Sequence, residues 1–168
     1  MSASIDEARA AANAILERFD SAGINWRIFS VEIAQSPTSE AADLVIPIRY
    51  SGPSPFTIQN VDKGPEAFAV SFGDALPDGV TVTAHYPLVV PQTEAIVELA
   101  SQMQDLVTEF LSWGTPIPPC PEHNHPMRPL VWNGNAVWQC PKDAGHHTEP
   151  IFHAFRGPSE RDGRPTKP

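Results

Sequence analysis

The sequence predicts an α+β fold: a helix, a four-stranded antiparallel sheet, a second helix, and then a small C-terminal β-hairpin. Three observations carry this expectation. Two long segments repeat apolar residues at helical spacing, near residues 5–21 and 91–113. Between them, short runs alternate apolar and polar residues with the period of a strand. After residue 114 the composition shifts to proline, with Pro116, Pro118, Pro119, Pro121, Pro126, Pro129 and Pro141 close together, and an Asn-Gly pair sits among aromatic and β-branched residues.

The first helix begins at a capping box. Ser4 stands at the cap and Glu7 three residues on, so each side chain can reach the other's backbone N–H. Ile5, Ala8, Ala12, Ile15 and Phe19 then share one face, and Gly23 supplies a stop. In the run 26–33, Phe29, Val31 and Ile33 alternate with polar residues, while Trp26 and Ile28 are in the opposite phase. A bulge near Ile28–Phe29 accounts for that phase change. Ser36-Pro37-Thr38-Ser39 reads as a turn. Leu44, Ile46, Ile48 and Tyr50 form a second strand, and Pro47 places it at an edge because proline cannot donate to a ladder. A looser stretch from Ser51 to Pro65 precedes a hairpin, whose arms carry Phe68, Val70, Phe72 and Val80, Val82, Ala84, with turn residues over 74–79. Pro91 suits the first position of the second helix. Its stripe is Ile96, Leu99, Met103, Leu106 and Phe110, widened by Val107 and Leu111, and Gly114 closes it. Two helices laid on one face of the sheet is the simplest packing. The expected division is an α+β domain over 1–114, a hairpin segment over 115–155 and a disordered tail over 156–168.

The hairpin segment holds most of the chemistry. Asn133-Gly134 is a strong signal for a two-residue type I′ turn, which needs positive φ at both central residues. A hairpin there brings Cys120-Pro121-Glu122-His123 beside Cys140-Pro141-Lys142-Asp143. Two such knuckles sharing one tetrahedral ion is the layout of a zinc ribbon. Thiolate and imidazole both suit zinc. A full ribbon would have Cys or His at 143, where this chain has Asp. Cys120, His123 and Cys140 form the expected ligand set with His125 as fourth, and Asp143, His146 and His147 remain alternatives. Four protein ligands would make the site structural, whereas a catalytic site leaves a position to water. Competing readings are a Cys120–Cys140 disulfide, or two small buried cysteines beside a mini-core of Trp132 and Trp138. A segment of this size needs a metal, a disulfide or docking onto the main domain to stay folded.

Cys-Pro-x-His, then His-Pro, then Trp-x-Cys-Pro resembles the C-terminal signature of small uncharacterised proteins of actinobacteria and their phages. In those proteins it likewise follows a helix similar to Gln102-Met103-Gln104-Asp105-Leu106-Val107-Thr108-Glu109. The resemblance covers roughly residues 95–142. It implies Cys120, His123, His125 and Cys140 as the matching positions, favouring His125 over His146, and it implies no activity.

Charge narrows the partners. Residues 1–114 carry 5 Lys/Arg against 15 Asp/Glu, and residues 115–168 carry 6 against 5. An acidic body repels phosphate backbones, so nucleic-acid binding is disfavoured. No apolar run approaches the roughly 18 residues that cross a bilayer. Residues 1–7 lack the basic and apolar regions of a signal peptide, so the expected compartment is the cytoplasm, or a virion for a phage-encoded chain. There is no nucleophile elbow, phosphate-binding loop or dinucleotide fingerprint. His85 is expected as an exposed strand histidine. The leading expectation is a non-enzymatic protein-binding or adaptor module with a structural zinc site. The alternatives are a phage-particle protein and, less favoured, a metal-dependent hydrolase using Glu122 or Asp143 as base.

Overall fold

The computed structural model of the chain describes residues 4–34, 67–74, 79–110 and 114–152. Helix α1 spans Ile5–Asp20. Its start is the expected capping box: the Glu7 N–H donates to Ser4 Oγ (3.2 Å), and the Ser4 N–H donates to Glu7 Oε2 (2.9 Å). Its buried face is Ala8, Ala11, Ala12, Ile15, Leu16 and Phe19. Ile5, expected on that face, remains exposed at the first turn. The chain leaves the helix through Gly23, whose φ of +82° is a conformation that disfavours other residues.

Strands β1 (Trp26–Ile33), β2 (Ala67–Asp74) and β3 (Thr81–Pro87) form an antiparallel sheet in that order. Pairing steps from Ile28↔Phe72 to Ser30↔Ser71, so Phe29 is the bulged residue. The extra residue flips the phase. Trp26 and Ile28 pack against the core before it and Val31 after it, while Phe29 stays exposed. Phe68, Val70, Phe72, Ala84 and Tyr86 complete the inner face of the sheet.

The expected single four-stranded sheet is not what forms. The described residues hold several smaller antiparallel sheets, and in this one β1 pairs directly with β2. The strand expected over Leu44–Tyr50, the turn at 36–39 and the stretch 51–65 lie outside the described residues.

Helix α2 spans Gln92–Phe110, one residue later than Pro91 suggested, and the Pro91 carbonyl accepts its first bond, from the Ala95 N–H (2.9 Å). Ala95, Ile96, Leu99, Ala100, Met103 and Val107 are buried. Phe110 ends the stripe half-exposed, beside Trp26 at 6.5 Å. Gln102 covers the free edge of β3: the His85 N–H donates to its Oε1 (2.9 Å), and its Nε2 donates to the His85 carbonyl (3.4 Å). Among the described residues no strand pairs with this edge of β3, and a side-chain amide takes up its backbone groups at His85. The His85 side chain is exposed, as expected. No helix among the described residues is long and apolar enough to cross a membrane.

Past Gly114 come β4 (Pro119–Cys120), β5 (His123–Pro126), β6 (Arg128–Trp132), β7 (Asn135–Gln139) and β8 (Thr148–Pro150). Strands β6 and β7 are joined at Asn133 (φ 48°) and Gly134 (φ 75°), the two positive angles of a type I′ turn. The expected lone hairpin is corrected in one respect. Strand β8 adds to β7, which makes β7 the centre of a three-stranded sheet, and β4 and β5 form a separate ladder. A central strand is covered on both edges, and Ala136 to Gln139 of β7 are all buried.

This C-terminal segment is docked onto the helices. One continuous cluster of buried residues includes Phe19, Met103 and Val107 together with Ile117, Cys120, Met127, Trp138, Cys140 and Ile151. The rings of Phe19 and Trp138 are 6.0 Å apart and inclined by 52°. Trp132, expected beside Trp138 in a mini-core, is half-exposed instead. Arg18 on α1 pairs with Glu149 on β8 and also donates to the Pro119 carbonyl (3.3 Å). Gln104 on α2 donates to the Ile117 carbonyl and to that of Met127 (2.7 Å). The expected tail over 156–168 lies outside the described residues.

Candidate metal centre

The first knuckle is the β4–β5 turn. Cys120 and His123 are register partners across Pro121-Glu122, which places both side chains on the same side of a two-residue reversal. His125 lies two residues further along β5 and therefore on the face of His123. Cys140 follows β7, and its N–H donates to the His147 carbonyl (3.0 Å), which closes the 141–146 loop.

These elements bring Cys120, His123, His125 and Cys140 together, with one ligand atom from each lying within 4.8 Å of the others. They can hold a metal ion. His123 Nδ1 sits between the sulfurs, 3.7 Å from Cys120 Sγ and 3.5 Å from Cys140 Sγ. His125 Nε2 is 3.7 Å from Cys140 Sγ. Both sulfurs are buried and both cysteines are free, so the disulfide alternative is not what the structure contains. His125 Nδ1 lies 3.0 Å from the Pro126 carbonyl. If Nδ1 carries the proton, Nε2 is left as a lone-pair donor facing the sulfurs.

Electrostatics favour a thiolate at Cys140. Burial pushes its pKa up. The N–H groups of Asp143 and Lys142 and the imidazoles of His123 and His146 outweigh that and bring it from 9.0 down to about 6. Backbone donors within a Cys-x-x-x turn stabilise a charged sulfur whether or not position 143 is itself a ligand. His146 is shifted upward, first by its hydrogen bond to Glu122 and next by that to Cys140, against a smaller desolvation effect.

The remaining expected candidates divide. The Asp143 carboxylate turns away and accepts the Gly145 N–H (2.8 Å). His147 Nε2 contacts Glu149 Oε2 (3.1 Å), on the side of the Arg18 clasp. Neither belongs to the four-residue group. His146 does approach, with Nδ1 3.5 Å from Cys120 Sγ and Nε2 3.0 Å from Glu122 Oε2. The sequence named Glu122 only as a base. Its role as the carboxylate behind His146 had no sequence signal, because the two are 24 positions apart. A cleft of about 310 Å³ between α1 and β8, lined by Glu17, Arg18, Trp138 and Glu149 among others, contains none of these cysteines or of His123, His125 and His146. No protein-family model, curated protein or solved structure matches this chain.

Proposed function

We propose that this protein is a non-enzymatic interaction module whose C-terminal segment is fixed by a structural zinc ion bound to Cys120, His123, His125 and Cys140. The observation that carries the reading is the spacing of the donor atoms. Zn–S bonds of about 2.3 Å and Zn–N bonds of about 2.05 Å at tetrahedral angles set sulfur and nitrogen about 3.6 Å apart. Three of the four sulfur–nitrogen pairs in the set lie at 3.7, 3.5 and 3.7 Å, and all four ligand atoms lie within 4.8 Å of one another. A mixed thiolate and imidazole set in tetrahedral array is chemistry that zinc favours. Four protein donors fill the coordination sphere and leave no position for a water nucleophile, which supports a structural role over hydrolysis.

Support for a protein partner comes from the surface beside the hairpin turn. Val131 and Trp132 are exposed there, at 44% and 48%. Thr93 Oγ1 donates to the Gly134 carbonyl (3.4 Å), which brings the turn against the start of α2, just after the exposed Val89 and Val90. Exposed aromatic and aliphatic side chains suit protein contact, and tryptophan is enriched at the energetic centres of interfaces.

The test is elemental analysis of untagged protein purified without chelator, beside a Cys120→Ser, Cys140→Ser double variant. Stoichiometric zinc that disappears in the variant is the expected result. Native protein without metal would overturn the zinc reading.

A further inference from the structure

Cys120, His123, His125 and Cys140 form the group that could hold an ion, and a fifth donor, His146, stands beside it in contact with Cys120. His123 touches both sulfurs, and Cys120, His123 and Cys140 form the centre of the group. Two further imidazoles reach the sulfur pair: His125 Nε2 lies 3.7 Å from Cys140 Sγ, and His146 Nδ1 lies 3.5 Å from Cys120 Sγ, with His146 also interacting with Cys140. Their rings both flank His123, with centroids 5.1 and 4.3 Å from it. Both sulfur–nitrogen distances match the tetrahedral edge of about 3.6 Å. Each ring is also held from behind at its other nitrogen, His125 by the Pro126 carbonyl and His146 by the Glu122 carboxylate, both at 3.0 Å. Such partners fix the ring and the tautomer, and a carboxylate also raises the basicity of the metal-facing nitrogen.

The second knuckle explains why His146 is there. Position 143 would supply its other ligand, but the Asp143 carboxylate is taken by the Gly145 N–H. The turn that Asp143 makes, with the His146 N–H donating to its carbonyl (3.1 Å), returns the chain to the cluster three residues later. His146 therefore stands where the second half of the second knuckle is missing.

We propose that His146, positioned by Glu122, is a fifth donor that exchanges with His125 for the fourth place on the metal. The inference rests on the zinc reading above and deepens it. While one histidine is off the ion the other is on, so the ion keeps four protein donors and opens no position to water. Glu122 is a positioning residue: it acts only through His146.

The probe is cobalt(II) added to the full-length chain, with its visible spectrum reporting tetrahedral thiolate coordination and a competing chelator reporting affinity. The helical circular dichroism of α1 and α2 confirms that each variant is folded. His125→Ala is expected to keep the tetrahedral spectrum and to lose less than about tenfold in affinity. Adding Glu122→Gln to His125→Ala should cost a further 10- to 100-fold, roughly the range for an outer-shell partner of a metal ligand. Glu122→Gln alone should cost less than about tenfold, since His125 then covers the site. The non-additivity of this cycle is the signature of exchange. Loss of the spectrum in His125→Ala, or an equal effect of Glu122→Gln in both backgrounds, would overturn the inference and leave the zinc site standing. Failure of the unmodified chain to take up cobalt(II) would overturn the zinc reading itself, and the exchange with it.

Discussion

The helices with their sheet, and the segment that follows Gly114, are held by different physics. In the first region the buried groups are neutral and, apart from the Tyr86 hydroxyl, largely apolar: Ile15, Phe19, Val70, Phe72, Leu99 and Met103 are fully covered. Its secondary structure is long enough to present continuous apolar faces, 16 residues in α1 and 19 in α2. In the second region five strands share 19 residues, none longer than five. Strands that short bury little area of their own. The segment instead leans on Phe19 through Trp138, on the Arg18 and Gln104 clasps, and on a cluster of ionisable side chains. The first region should answer to changes in packing, and the second to changes in charge and protonation as well and, on the zinc reading proposed above, to metal.

The largest expected effect follows from protonation. In metal-free protein the Cys140 thiol titrates at about 6 rather than 9.0. A folded-state value below the unfolded one gives stability that is fully present above 9.0 and is lost as pH falls toward about 6. His146 has the opposite sign: its contribution is present below its ordinary 6.5 and is lost as pH rises through its raised value. Thiolate absorbance of a metal-free Cys120→Ser variant should show a midpoint near 6. A midpoint near 9 would erase the electrostatic half of the comparison. The helical signal should be flat over the same pH range.

Next in size is Trp138→Ala. Trp138 is 1% exposed and packs on Phe19, so it belongs to both regions. Truncating a buried tryptophan costs about 3–5 kcal/mol. Thermal unfolding should move to lower temperature as one transition if the shared cluster couples the regions. Two transitions, with the helices melting where they did before, would show that the interface is weaker than its burial implies.

Arg18→Met should cost less. Hydrogen bonds to charged groups contribute about 1.5–3 kcal/mol, and the Arg18 and Glu149 side chains are 23% and 28% exposed, so water weakens the pair and the lower end applies. Amide exchange should speed up in β8 and around Pro119 while β2 is unchanged. Equal acceleration in β2 would mean that the clasp serves the whole molecule.

What could be read from the sequence followed the range of the interaction. The capping box spans three residues, the Phe29 bulge shows as a phase change within one strand, and the type I′ turn is written in Asn133-Gly134. The approach of Cys120 and His123 to Cys140 was readable because one hairpin joins two Cys-Pro turns, whereas His125 was one of several candidates for a fourth place and joins them by lying two residues past His123 on β5. The Arg18–Glu149 pair spans 131 positions, and no local pattern signals it. Trp132 and Trp138 looked equivalent in the sequence. They differ because Trp138 lies between β8 and Phe19 of α1 while Trp132 lies next to the exposed turn, and the first of these depends on how the segment docks. The Glu122–His146 contact escaped for the same reason as the clasp, since it needs two loops to fold first.

The smallest effect tests the packed region alone. Ser4→Ala removes the side-chain acceptor for the Glu7 N–H and leaves that donor to water. Loss of an N-cap costs about 1 kcal/mol. Glu7 has a second tie, since Gln92 Nε2 donates to its other oxygen (3.4 Å) and links the starts of α1 and α2. Freed from the box, Glu7 keeps that link, so fraying should stop within the first turn. Amide exchange should therefore rise at the first turn of α1 and nowhere past Ala8, with metal content unchanged. If Ser4→Ala also loosened β6–β8 or altered metal binding, the two regions would be one cooperative unit down to their ends, and the division between a packed body and an ionically clasped segment would fail at its weakest perturbation.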